Sequence, residues 1–105
     1  MSILKLGKPV EINGEVVNEI TYDLEELSGG AVENAMKALQ KKGYVPTVQE
    51  LDPIMQAHIF AEASGLDYED IKRLKYKDYM RATGCVRDFF MVDSVDFQQK
   101  NTSEQ

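Results

Sequence analysis

The sequence has no tryptophan, one cysteine and one histidine among its 105 residues. Cys85 alone forms no internal disulfide, so cysteine usage gives no sign of an oxidising compartment. His58 and Cys85 by themselves make no zinc site. No stretch reaches the roughly 20 apolar residues of a membrane span. The opening Met1-Ser2-Ile3-Leu4-Lys5 lacks the charged start and long apolar run of a secretory signal. These absences point to the cytoplasm and to a chain that does not enter membranes.

Nor is there a single-sign excess of base. The formal net charge is −6, which argues against nucleic acid as the main partner. The charge is unevenly placed. Glu19, Asp23, Glu25, Glu26 and Glu33 fall in a stretch with no basic residue. Lys72, Arg73, Lys75, Lys77, Arg81 and Arg87 face Asp78 alone. Two solvated faces would account for this. So would a complementary pair of patches, within one molecule or between copies.

What is present is one domain's worth of patterned chain, residues 1–92, with 43% apolar and 29% charged residues. Leu4, Leu6, Val10 and Ile12 alternate with polar residues, Asn13-Gly14 marks a turn, and Val16, Ile20 and Tyr22 follow. This predicts a hairpin over 3–22. A two-residue loop would put the two apolar sets on opposite faces. A three-residue loop, Ile12 to Gly14, pairs Val10 with Val16, Leu6 with Ile20 and Leu4 with Tyr22 on one face. A bulge at Gly7-Lys8-Pro9 repairs the parity instead, and Pro9 suits a bulge or an edge.

A hairpin needs a cover. Val32, Ala35, Met36 and Leu39 line one face of a helix over about 31–42, after Ser28-Gly29-Gly30 and before Gly43. Asp52-Pro53 opens a second helix over 53–64, with Met55, Ile59 and Ala63 as its stripe. Asp67, with Asp70 three residues on, starts a third over 68–74. A fourth runs over 76–90, with Tyr79, Met80, Thr83, Val86 and Phe90 at helical spacing and Gly84 in its middle. Residues 93–105 read as a flexible polar tail. The fold class is α+β: an N-terminal hairpin, then three to four helices.

Catalytic chemistry needs a nucleophile, a base and an orienting group close in space. Cys85 and His58 are the only candidates for the first two, and neither sits in a recognisable motif. Packing explains both more simply. Asp67-Tyr68-Glu69-Asp70 lacks the glycine and spaced oxygens of a calcium loop. Ser28-Gly29-Gly30 lacks the Gly-Lys-Ser/Thr ending of a phosphate loop. No cofactor or metal is implied, and the chain reads as a non-enzyme. Aromatics are the more informative residues. Tyr76, Tyr79, Phe89, Phe90 and Phe97 crowd the second half. Core packing is the plain reading of each. Adjacent Phe89 and Phe90 cannot share one helix face, so one of them is expected to be exposed or to meet a partner. Phe97 has no evident core to join. These five residues are the candidate partner-binding set, and the six basic residues from Lys72 to Arg87 are the candidate electrostatic patch.

Three stretches carry a resemblance. They are Leu4-Lys5-Leu6-Gly7-Lys8-Pro9-Val10-Glu11-Ile12-Asn13-Gly14-Glu15 with Ile20-Thr21-Tyr22, Ile59 to Leu66 with Tyr68 to Ile71, and Leu74 to Asp78 with Val86 to Phe90. In this order they resemble the phage tail assembly chaperones, short proteins encoded beside the tape measure protein in tailed phages and prophages. The family often has proline after the leucine matching Leu74, where this chain has Lys75. The resemblance implies a binding role: coating the tape measure protein, keeping it soluble, and helping tail tube subunits assemble around it. It also implies a place in the host cytoplasm and absence from the mature virion. A different reading makes the chain a structural or nucleic-acid-associated virion component that uses the basic 72–87 segment. Self-association through the acidic and basic stretches is a further expectation.

Overall fold

The computed structural model describes residues 1–44 and 52–103, with side chains described as far as Met91. The architecture is α+β. Strands β1 (Ser2–Ile12) and β2 (Glu15–Tyr22) form an antiparallel pair, and helices α1 (Gly29–Lys41), α2 (Pro53–Ser64), α3 (Tyr68–Lys72) and α4 (Tyr76–Ser103) follow. The connection at 45–51 lies outside the described residues.

The hairpin uses the two-residue turn. Asn13 and Gly14 both hold positive φ, 54° and 81°, as a type I′ turn requires. Val10 pairs with Val17 and Ile12 with Glu15 beside the turn, whereas Leu4 pairs with Ile20 and Ser2 with Tyr22 beyond it. The three-residue loop and its Val10–Val16, Leu6–Ile20 and Leu4–Tyr22 pairs are therefore replaced by the bulged alternative. Between Lys5 and Val10, residues 6 to 9 stand opposite Asn18 alone. The physical reason is local. Asn-Gly fits two consecutive left-handed residues, and Pro9 has no N–H to lose from the ladder. The odd register change brings Leu4, Ile12 and Ile20 onto the buried face.

Helix α1 follows its sequence signals closely. The Ser28 side chain caps it by accepting from Ala31 N at 3.1 Å, and Gly43 leaves it at a φ of 72°. Ala35 and Leu39 are buried, with Val32 and Met36 half-buried beside them. Helix α2 departs from the stripe expected of it. Every residue from Met55 to Ala61 is buried, because α2 packs against α1, α3, α4 and β2 at once. A helix enclosed on all sides needs no amphipathic stripe. Phe60, fully enclosed, meets Tyr22 at 5.0 Å between ring centres. Burying such a ring contributes about 1.5–3 kcal/mol. Asp52 caps α2 through Met55 N at 3.0 Å, and the Tyr44 hydroxyl donates to the same carboxylate.

Helix α3 ends at Lys72, two residues earlier than the pattern suggests, and buried Leu74 lies just past it. Helix α4 runs to Ser103 and not to Phe90. No glycine or proline after Gly84 interrupts it. The side chains of the expected polar tail lie outside the described ones. Ala82, Thr83 and Val86 face the core, while Met80 does not and is 41% exposed.

Gly84 marks no close helix approach. A Cβ there would meet only the Arg87 guanidinium, at 3.7 Å, an ordinary contact with a flexible side chain. Gly84→Ala is expected to stabilise the fold by about 1 kcal/mol, read as a higher urea midpoint with unchanged slope. A lower midpoint would show that something excludes a methyl group at this position.

Candidate functional site

The bulge of β1 leaves N–H groups without ladder partners, and α4 takes them. The buried Asp78 carboxylate accepts from Gly7 N at 2.9 and 3.1 Å and from Lys8 N at 3.2 Å. Asp78 lies in the first turn of α4, where negative charge also suits the helix dipole. Arg81, one turn on, stands 3.3 Å from Asp78 and donates to the Lys5 carbonyl at 2.7 Å. The Gly7 N–H bond above all, with Lys8 N–H and Arg81, holds the Asp78 carboxyl below its ordinary pKa despite burial.

This clasp sets a surface. With α4 docked on the bulge, Tyr76 stands 76% exposed beside Gly7 and Lys8, in a depression of about 420 Å³ that Lys75 and Lys77 also line. Met80 follows Tyr76 by four residues. Met91, 47% exposed, lies further along the same side of the helix, past Gly84 and Arg87. Tyr76, Met80 and Met91 thus form an outward apolar stripe with basic residues around it.

The other candidate aromatics sit differently. Tyr79 is half-buried, and burial raises its hydroxyl pKa. Phe89 and Phe90 contact each other edge to face at 5.7 Å, and both are half-buried against the core. Neither is fully exposed, and whether one of them meets a partner, the other half of the expectation, is not decided by their burial. The Phe97 side chain lies outside the described ones.

The basic stretch is largely matched within the chain. Arg73 pairs with Asp70 at 2.9 Å, Lys72 with Glu69 at 3.9 Å, Arg81 with Asp78, and Arg87 with Asp88 at 3.5 Å. Lys75 and Lys77 form no ion pair among the described residues. Sequence reading missed three contributors: Lys8, Met80 and Met91. The one available signal was Asp78 itself, the single acid in a basic run.

His58 and Cys85 belong to different surroundings. Cys85 is half-buried, and its sulfur accepts from the Tyr22 hydroxyl at 3.4 Å. His58 is 4% exposed, stacks on Tyr68 at 3.8 Å, and places Nδ1 2.8 Å from the Ile54 carbonyl. A carbonyl only accepts, so Nδ1 carries the proton, and buried Nε2 is left without a partner. Lys42 covers the opposite side of the Tyr68 ring, 4.0 Å from its centre. Burial lowers the His58 pKa. Among the described residues, no group of His, Cys, Asp or Glu side chains is arranged to hold a metal ion. None of the described helices is long and apolar enough to cross a membrane.

A family profile for phage tail assembly chaperone proteins, described as E, or 41 or 14, matches residues 4–91. The chain belongs to the phage tail assembly chaperone family. No curated protein and no solved structure matches it. The match covers the hairpin, the Asp78 clasp and α4 as far as Met91, so the outward stripe is part of this chaperone's family domain.

Two stability tests follow from these bonds. Asp78→Asn should cost about 1–3 kcal/mol in urea unfolding at neutral pH, because the buried carboxylate's charge-assisted bonds to the Gly7 and Lys8 N–H groups are lost. A depressed carboxyl contributes stability above its unfolded value of about 3.9, and that stability drains as pH falls towards the folded value. The native chain should therefore weaken below about pH 4, and the Asn variant should lose that acid sensitivity. Equal midpoints for the two proteins would refute the clasp.

His58 acts in a higher window. Its folded pKa lies below the unfolded value of about 6.5, so the unfolded chain binds the proton first. Stability should fall as pH drops below about 6.5, and His58→Phe should flatten that part of the curve. Parallel curves for variant and native protein would show that His58 is not buried neutral.

Proposed function

We propose that this chaperone binds the tape measure protein in the host cytoplasm, keeps it soluble, and helps recruit tail tube subunits to it, without catalysing a reaction. The chaperone stays out of the mature virion. The observation that carries the reading is the outward stripe of Tyr76, Met80 and Met91 on a helix whose inner face is already committed to the core. Large apolar side chains grouped on a small soluble domain mark a contact surface. A helix-on-helix contact suits a long helical client, with Tyr76 and Met80 as apolar anchors one turn apart and Met91 about three turns further on.

The net charge of −6 adds a second benefit. A coat of acidic copies gives an aggregation-prone client a common charge and keeps coated clients apart.

Co-expression of the full chain with the tape measure protein of the same phage tests the reading. The native chaperone should hold the client in the soluble fraction and co-purify with it. Tyr76→Glu combined with Met80→Glu should weaken that binding by about tenfold or more while leaving the urea midpoint close to native. A client that precipitates equally with and without the native chaperone would remove the proposal. A double variant as effective as the native chain would move the contact to another face.

A further inference from the structure

Several charged residues stand outside the four ion pairs of the described residues, and the fold gathers two groups of them at separate places. Lys8, Lys75 and Lys77 have no carboxylate partner among the described residues. All three border the depression around Tyr76, although Lys8 comes from β1 and the others from the start of α4. Only folding brings these three lysines to one depression.

The opposite charge sits on an exposed turn. Leu24 to Leu27 form a β-turn closed by Leu27 N and the Leu24 carbonyl at 3.3 Å. Glu25 and Glu26 occupy its two central positions, both are exposed, and neither has a cationic partner among the described residues. Buried Leu24 and half-buried Leu27 anchor the turn to the core, so its tip is displayed and not buried. Glu25 lies near Cys85 and Phe89, not near Tyr76. Cys85 is about 14 Å along α4 from Tyr76 at 1.5 Å per residue. The acidic tip and the basic depression are therefore separate surfaces of one molecule.

We propose that the Glu25–Glu26 turn of one copy seats in the Lys8–Lys75–Tyr76–Lys77 depression of a second copy. Two exposed carboxylates meet a depression bordered by three lysines, whose ammonium groups can reach over its rim while the glutamate methylenes cover the Tyr76 ring. The contact joins two different patches, so it is head-to-tail and propagates into a ring or an open filament. The whole-molecule charge of −6 opposes association. At about 0.1 M salt that long-range repulsion is screened beyond about 10 Å, while charges in direct contact still attract. The contact does not rest on the proposed client. It shares Tyr76 with the client face, so the two occupants exclude each other at that residue.

Sedimentation velocity of the full chain over a range of concentrations tests this. The native protein should sediment as species larger than a monomer at about 0.1 M salt and as a monomer at about 1 M. Lys75→Glu with Lys77→Glu should be monomeric at both, as should Glu25→Lys with Glu26→Lys. An equimolar mixture of the two reversed proteins should regain association, because each then offers the other a matched pair of surfaces. The neutral pairs Lys75→Gln with Lys77→Gln and Glu25→Gln with Glu26→Gln should each weaken association at least tenfold. A native protein that stays monomeric at every concentration, or reversed proteins that associate as the native one does, would overturn the proposal. So would a mixture of folded reversed proteins that stays monomeric. The Glu25→Lys, Glu26→Lys protein keeps Tyr76 and Met80, so it should still hold the client in solution, which separates failure of this contact from failure of the client reading.

Discussion

The hairpin and the helical layer are joined most directly where the Asp78 carboxylate takes the N–H groups of Gly7 and Lys8. Without that carboxylate, the Gly7 and Lys8 donors of the bulge would lose their protein partners. With it, the bulge becomes a fixed feature. The bulge in turn repairs the parity that an Asn-Gly turn imposes, so that Leu4 and Ile20 share the core face with Ile12. Arg81 closes the arrangement by holding Asp78 and the Lys5 carbonyl together. A turn dipeptide, a bulge and a helix N-terminus thus depend on one another. The contact spans some seventy residues of sequence, so it is a tertiary bond and not a local preference.

The central place of α2 is the second constraint. Four neighbours enclose it, and its run from Met55 to Ala61 admits no solvent-facing side. His58 is the residue that fits this least well. It satisfies one ring nitrogen with the Ile54 carbonyl and stacks under Tyr68, yet leaves the other nitrogen bare. The stack explains why the ring is kept flat in this position. Lys42 on the far side of Tyr68 ties the end of α1 to the start of α3 across the same ring.

Most elements could be read from sequence because their signals are local. Ser28 and Gly43 bound α1, Asp52-Pro53 opens α2, and Asp70 reaches back to Asp67 N at the start of α3. The apolar face of α1 is plain from its spacing. Register was less legible, because parity allowed either a longer loop or a bulge, and the choice depended on a distant carboxylate that no hairpin pattern contains. Burial of α2 was missed for a related reason: periodicity reports one packed face, not four neighbours. In the candidate site, Tyr76 was legible only as one of five aromatics for which core packing was the plain reading. Met80 was not, since its spacing fits the inner face as well as the outer one. One of Phe89 and Phe90 was expected to be exposed or to meet a partner, and α4 half-buries both.

The basic run shows why a charge count along the sequence misjudges a surface. Of its six cations, Lys72, Arg73, Arg81 and Arg87 each stand beside a carboxylate of this same chain. What remains is Lys75 and Lys77, joined in space by Lys8 from the hairpin. A duplex-binding surface would spread unpaired cations along a face to meet successive phosphates. Here the free cations converge on one exposed tyrosine, at the head of an apolar stripe. That arrangement favours recognition of apolar side chains with carboxylates near them, which is the surface of a protein and not of a nucleic acid. The same clasp that settles the register of the hairpin brings Lys8 to that place, so the fold's main tertiary bond and its candidate contact surface are one piece of architecture.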